Sequence, residues 1–93
     1  MADYYFYVLH TADDKLYAGT SDDYLRRFET HKAFKGAKFT KVKSHHPLSL
    51  IYVEKFDSKG EALSFENKFK RLTRVQKDDY IQTHQNLIKE IVV

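Results

Sequence analysis

The chain contains no cysteine and no tryptophan, and only one proline and three glycines. Without thiols, disulfides and thiolate metal sites are excluded, and that lack fits a reducing cytoplasm. No apolar run approaches the length of a membrane span, and the start Met1-Ala2-Asp3 carries an acid where a secretory leader carries basic residues. The expectation is a cytoplasmic chain with no membrane partner. Also missing are a phosphate-cradling glycine loop, a Ser-His-Asp order, a coiled-coil repeat, an internal repeat and a linker. A large excess of one charge is absent too: net charge +3 and pI near 9.1 are too mild to name a partner.

What the chain does have is aromatic mass. Its 93 residues are 42% hydrophobic and include seven Tyr and seven Phe, enough for one compact core and too few for two. Residues 1–93 are therefore read as a single domain that needs neither metal nor disulfide to be stable.

The order of elements reads ββαβαα, an α+β fold in which helices flank a small three-stranded antiparallel sheet. Tyr4 to Thr11 is apolar on both alternating sets, as expected of a central strand covered on both faces. A turn at Ala12-Asp13-Asp14-Lys15 leads into a second strand, Leu16 to Thr20, which Gly19 ends, so the start is a β-hairpin. Ser21 is the expected N-cap of a helix over Asp22 to Lys32, with Leu25 and Phe28 spaced i, i+3. Phe34 to Pro47 shows no clean period and reads as a long basic loop. Leu48 to Phe56 is a third strand. Ser58 to Glu61 matches a capping box ahead of a helix carrying Ala62, Phe65, Phe69 and Leu72 on one stripe. Thr73 to Gln76 repeats the box before a helix with Val75, Tyr80 and Ile81 as its apolar positions. Leu87 to Val93 reads equally as helix or strand.

Charge is unevenly distributed. Between Arg26 and Lys43 stand seven Lys and Arg residues against one acid, Glu29. Lys35, Lys38, Lys41 and Lys43 can neutralise backbone phosphates while Phe34 and Phe39 stack on unpaired bases. The same segment is equally a solvated loop. A second basic group, Lys68, Lys70, Arg71, Arg74 and Lys77, either extends the patch or solvates two helices. His45-His46 is half a metal site at most and reads as a loop pair, since no carboxylate lies within a few residues.

Five residues spread along the chain fall at telling positions. Tyr7 and Tyr17 sit on the two strands of the hairpin, so their hydroxyls converge if the register pairs them. Arg27 and His31 are i and i+4 on the first helix, hence on one face. Glu66 lies inside the capped second helix, where taken alone it would simply pair with Lys70. Any one of these is most often a packing or surface residue. Together, Tyr5-Phe6-Tyr7, Tyr17-Ala18-Gly19, Arg27 and Glu66 resemble the GIY-YIG nuclease pattern. The strings YYFYVLHTADDKLYAGTSDDYLRRFETH and EALSFENKFKRLTRVQK are similar to the small stand-alone bacterial members, and the likeness covers Tyr4 to Lys77.

That resemblance implies a metal-dependent endonuclease acting on nucleic acid, with DNA in repair or recombination as the expected substrate. Catalytic roles fall on Tyr7, Tyr17, Arg27, His31 and Glu66. Tyr7 orients or deprotonates the attacking water, Tyr17 positions, and Arg27 contacts the scissile phosphate through its planar fork. Glu66 is the metal ligand, a hard oxygen donor suited to one Mg²⁺ or Mn²⁺ that keeps several waters. A free phenol titrates near ~10, so Tyr7 needs Arg27 and the metal to lower it and His31, near ~6.5, to take the proton. Lys35, Lys38, Lys41, Lys43 and Lys70 are the expected nucleic-acid contacts.

The pattern also departs from the family. Tyr5 and Phe6 replace Gly and Ile of the first motif, and Ala18 replaces the middle Ile of the second. Thr20 stands where excision-repair relatives carry Lys, and no Asn occupies their late position. His31, four residues after the Arg, stands where relatives carry Tyr or His. Two alternatives accompany the enzyme reading: a nucleic-acid-binding module without cleavage, and a protein-interaction adaptor. A monomer is the default expectation, with a protein partner for targeting if this small domain needs one.

Overall fold

The computed structural model describes residues 3–84. The reading of Leu87 to Val93 lies outside the described residues. Three strands, β1 (Tyr4–His10), β2 (Leu16–Ser21) and β3 (Ser49–Phe56), form one sheet in the order β2-β1-β3, with β1 antiparallel to both neighbours. Helices α1 (Tyr24–Lys32), α2 (Lys59–Lys70) and α3 (Arg74–Thr83) complete the expected ββαβαα order. None of the described helices is long and apolar enough to cross a membrane.

The doubly apolar pattern of β1 is explained by its central place. Phe6, Tyr7, Val8 and Leu9 are all buried, and alternate residues serve two separate cores. Phe6 and Val8 join Ala18, Tyr52 and Phe69, beneath Phe65 of α2 and Tyr80 and Ile81 of α3. Tyr7 and Leu9 join Val53 and Leu48 on the opposite face, with Tyr17, Tyr24 and Phe28 packed against them. The two-face arrangement sets α1 against one side of the sheet and the α2–α3 pair against the other. A bulge in the β1–β3 ladder between Val8 and Leu9 pairs Leu9 with Leu50 and keeps both residues in the second core.

Several boundaries differ from the sequence reading. Pairing of Tyr5 with Ser21 carries β2 past Gly19, so Gly19 lies inside the strand and Ser21 closes it. The helix cap moves accordingly to Asp23, whose side chain accepts from Arg26 N at 3.1 Å, while Ser21 Oγ accepts from Asp23 N at 3.0 Å. The third strand begins at Ser49, one residue after the buried Leu48. At the start of α2, Ser58 Oγ accepts from Glu61 N, and both halves of the Thr73–Gln76 box are formed at the start of α3. Leu72 lies beyond the end of α2 yet still packs on the first core, whereas Val75 is 77% exposed and takes no part in it.

The largest difference is in the segment after α1, which is ordered rather than structureless. α1 ends in a Schellman motif: Phe34 N donates to His31 O and Lys35 N to Thr30 O, with Phe34 in the left-handed region at φ 61°. Two short 3₁₀ turns, Lys38–Lys41 and Lys43–His45, then bring Thr40 and His45 into the interior.

Candidate active site

The hairpin register settles how the two phenols meet. Tyr7 faces Gly19 across the ladder and Tyr17 faces Leu9, so Tyr7 and Tyr17 are diagonal neighbours on the α1 side of the sheet. A Cβ on Gly19 would stand 2.5 Å from the Tyr7 hydroxyl and 2.7 Å from its Cζ. The second motif therefore contains glycine because the Tyr7 ring lies across its backbone.

α1 supplies the partners. His31 is fully buried, and its Nε2 lies 3.0 Å from the Tyr7 hydroxyl. Its other nitrogen, Nδ1, lies 2.7 Å from Thr40 Oγ1 in the first 3₁₀ turn. A Cβ on Gly36 would stand 2.1 Å from that Nδ1, so the chain can pass His31 only with a glycine there. Tyr17 presents its ring to His31 edge-on at 5.2 Å and stacks on Phe39 at 5.6 Å. Arg27, one turn before His31, is half-buried and lines an open polar cleft with Ser21, Asp22, Asp23, Arg26 and Thr30.

Glu66 of α2 acts on the two phenols through its charge. Its negative charge raises the pKa of both Tyr7 and Tyr17, while the positive charge of Arg27 lowers both. Opposite charges thus act on both phenols, each with less weight than burial. The Glu66 side chain is only 14% exposed and is held by Lys70 Nζ at 2.5 Å. Lys70 also acts on Tyr17, in the lowering direction. It is consequently tied to the carboxylate rather than displayed as a free cation.

Burial dominates the electrostatics. It pushes Tyr7 up to about 12, outweighing Arg27. Burial and the adjacent Arg27 hold His31 down, at about 4. The help expected from Arg27 has the right sign and loses to desolvation, and His31 rests neutral, well below its ordinary value.

The basic segment is more complex than the sequence suggested. Lys35, Lys38, Lys41 and Lys43 are exposed, and among the described residues none of the four forms an ion pair. The rings between them already have partners. Phe39 is sandwiched between Tyr17 and His45, and Phe34 stacks on His46 at 3.9 Å. The expected base-stacking role does not fit Phe39, whose faces are taken up holding the loop to the hairpin. His45 does meet a carboxylate, one that is distant in sequence: Asp13 in the β1–β2 turn accepts at 3.0 Å from His45 Nδ1. The Thr11 hydroxyl and then His45 lower Asp13 to about 2. His46 Nε2 donates to Thr40 O at 2.6 Å. Both histidines thus brace the loop, and the described residues hold no group of three or more His, Asp or Glu placed to bind a metal ion.

Residues 3–79 match the family model of the GIY-YIG catalytic domain. The chain belongs to the GIY-YIG family. Its similarity to UPF0213 proteins, small bacterial proteins of nearly the same extent, is strong. The UPF0213 protein of Limosilactobacillus reuteri is 51% identical over 81 residues, spanning 87% of this chain and 84% of that protein. YazA of Bacillus subtilis, another UPF0213 protein, is 41% identical over 90 residues, 97% of this chain and 89% of its own. Two solution structures share the fold. A UPF0213 protein from Bacillus halodurans superimposes with TM-score 0.60 at 29% identity, covering 97% of this chain and 94% of its own. A protein from E. faecalis gives 0.64 at 37% identity, covering 92% and 94%. The GIY-YIG family is a nuclease family whose members generally depend on a divalent metal and act on nucleic acid.

The donor set fits such an ion in one specific way. With a single carboxylate in the cluster, a hard cation would keep most of its water shell and complete its coordination from a substrate phosphate. Lys70 is paired with one oxygen of that carboxylate and would compete with the ion for it.

Proposed function

We propose that this single GIY-YIG domain is an endonuclease that hydrolyses phosphodiester bonds of nucleic acid, DNA in a repair or recombination setting, with one Mg²⁺ or Mn²⁺ at Glu66. The observation that carries the reading is the Tyr7–His31 hydrogen bond, with the charges of Arg27 and Glu66 both acting on Tyr7.

With a phenol held near 12, Tyr7 is not a phenolate at neutral pH. It serves instead as a relay. A water beside Tyr7 gives a proton to the phenol oxygen as the phenol's own proton passes to His31 Nε2. The water oxygen bonds to phosphorus, the bond to the leaving oxygen breaks, and that oxygen takes a proton from solvent. Arg27 spans two phosphoryl oxygens with its guanidinium and neutralises the charge that builds there. A phosphate against Arg27 also offsets the positive charge that depresses His31, so substrate makes the terminal acceptor more basic. Tyr17 packs against the His31 ring and holds it in place. The divalent ion would supply further neutralisation of the phosphoryl group. Lys35, Lys38, Lys41 and Lys43 contact backbone phosphates beyond the cleft.

The test is incubation of the purified protein with branched, single-stranded and duplex oligonucleotides, with Mn²⁺ and with chelator. Cleavage that requires the ion and is abolished by Glu66→Ala, with the circular dichroism spectrum unchanged, is the expected result. Cleavage by Glu66→Ala at the wild-type rate overturns the site. A second reading, binding without cutting, is favoured by the Lys70–Glu66 ion pair, which engages an oxygen of the carboxylate proposed to hold the metal. It expects salt-sensitive association that Tyr7→Phe leaves unchanged, and no products with any ion.

A further inference from the structure

His31 can be a proton acceptor toward Tyr7 only if Nε2 carries a lone pair, and the two ends of the ring bear on this independently. At the Nδ1 end stands Thr40, itself fully buried. Its one hydroxyl proton is directed to Ala37 O at 2.9 Å. Thr40 Oγ1 therefore meets Nδ1 with a lone pair, and a contact of 2.7 Å is attractive only if Nδ1 bears the hydrogen. At the other end, Tyr7 is 1% exposed, its hydroxyl lies 3.0 Å from His31 Nε2, and the guanidinium of Arg27 also hydrogen-bonds to it. Arg27 has no acceptor to offer. Of these two partners, only an unprotonated Nε2 can accept the phenol proton. The opposite tautomer would set two lone pairs face to face at Thr40 and strand the buried phenol proton, a cost at both ends.

We propose that Thr40 is a positioning residue that fixes neutral His31 with its proton on Nδ1, so that Nε2 is committed as the acceptor for Tyr7 and the phenol oxygen keeps a lone pair for an incoming proton. Gly36 belongs to the same device: its missing Cβ is what lets the turn bring Thr40 against Nδ1. The catalytic part of this inference rests on the nuclease reading. The tautomer itself does not.

The experiment pairs a measurement without substrate with one that needs it. Long-range ¹⁵N NMR at neutral pH should find His31 protonated at Nδ1 and bare at Nε2. Thr40→Val, which keeps the shape and removes the hydroxyl, should mix the tautomers and lower kcat by about a hundredfold, the scale of one proton-transfer contribution, with KM unchanged. Thr40→Ser should restore both signals. If Thr40→Val does not fold, the wild-type spectrum and Thr40→Ser still decide the matter. A wild-type His31 protonated on Nε2 overturns the proposal, as does a Thr40→Val protein with wild-type kcat. An inactive wild type with the Nδ1–H tautomer would refute the nuclease reading while leaving the assignment of the tautomer standing.

Discussion

A buried neutral histidine makes the stability of this protein depend on pH. His31 takes a proton near 4 in the folded chain and near its ordinary 6.5 once unfolded. Between those values the unfolded state binds more protons, so stability is complete above about 6.5 and is lost as the pH falls toward 4. Urea midpoints at pH 7 and pH 5 should show the loss, and His31→Gln should flatten the difference. Equal slopes in the two proteins would mean that another group carries it. Tyr7 acts with the opposite sign at the alkaline end, where the folded chain holds its proton up to about 12. At this scale, spacing was enough to set Tyr7 and Tyr17 on paired strands and Arg27 and His31 on one helix face, because periodicity fixes which residues share a strand or helix face, whereas Glu66 was singled out only by the family resemblance. Thr40 was not legible. It lies in an aperiodic stretch and becomes His31's partner only after the chain turns back. The size of the pKa shifts was equally hidden, since burial is set by neighbours far away in sequence.

Among the elements, the docking of α3 depends on one carboxylate. Tyr52 of β3 and Tyr80 of α3 both donate to Glu54 Oε1 at 2.6 Å, and Tyr52 is fully buried. Glu54→Leu strands those phenol protons and should cost about 2 kcal/mol, whereas Glu54→Gln retains a carbonyl acceptor and should cost less. Thermal unfolding of the two variants measures the contrast, and equal losses would assign the effect to packing. Strands and helices were recoverable from the sequence because their apolar periods are strong. The start of α1 was misplaced because Ser21, Asp22 and Asp23 are all competent caps, and strand pairing at Ser21 decided among them. The ordering of the 34–47 segment is not legible in the sequence for a related reason. Its ring stacks join residues of three different elements, and no local pattern announces them.

Over the whole molecule, two kinds of positive charge must be separated. Lys70 is engaged with Glu66, and Lys32 with Glu29, while Lys35, Lys38, Lys41 and Lys43 are exposed and unpaired among the described residues. Only the second kind can release counterions from a nucleic-acid backbone. Replacing Lys35, Lys38 and Lys41 together by Ala should weaken association and reduce the slope of log affinity against log salt by about 2 to 3. An unchanged slope in a titration across salt concentrations would move the binding surface elsewhere. The family and the fold were legible from widely spaced letters because four elements must agree at once for the pattern to appear.

The glycine of the second motif has a meaning that its letter conceals. At Gly19 the aromatic ring from the neighbouring strand occupies the volume in which every other amino acid keeps its first side-chain carbon. Conformational freedom is not what the position demands, for Gly19 sits in ordinary extended strand. Along this ladder most residues are chosen for what they add, and this one for an atom it leaves out.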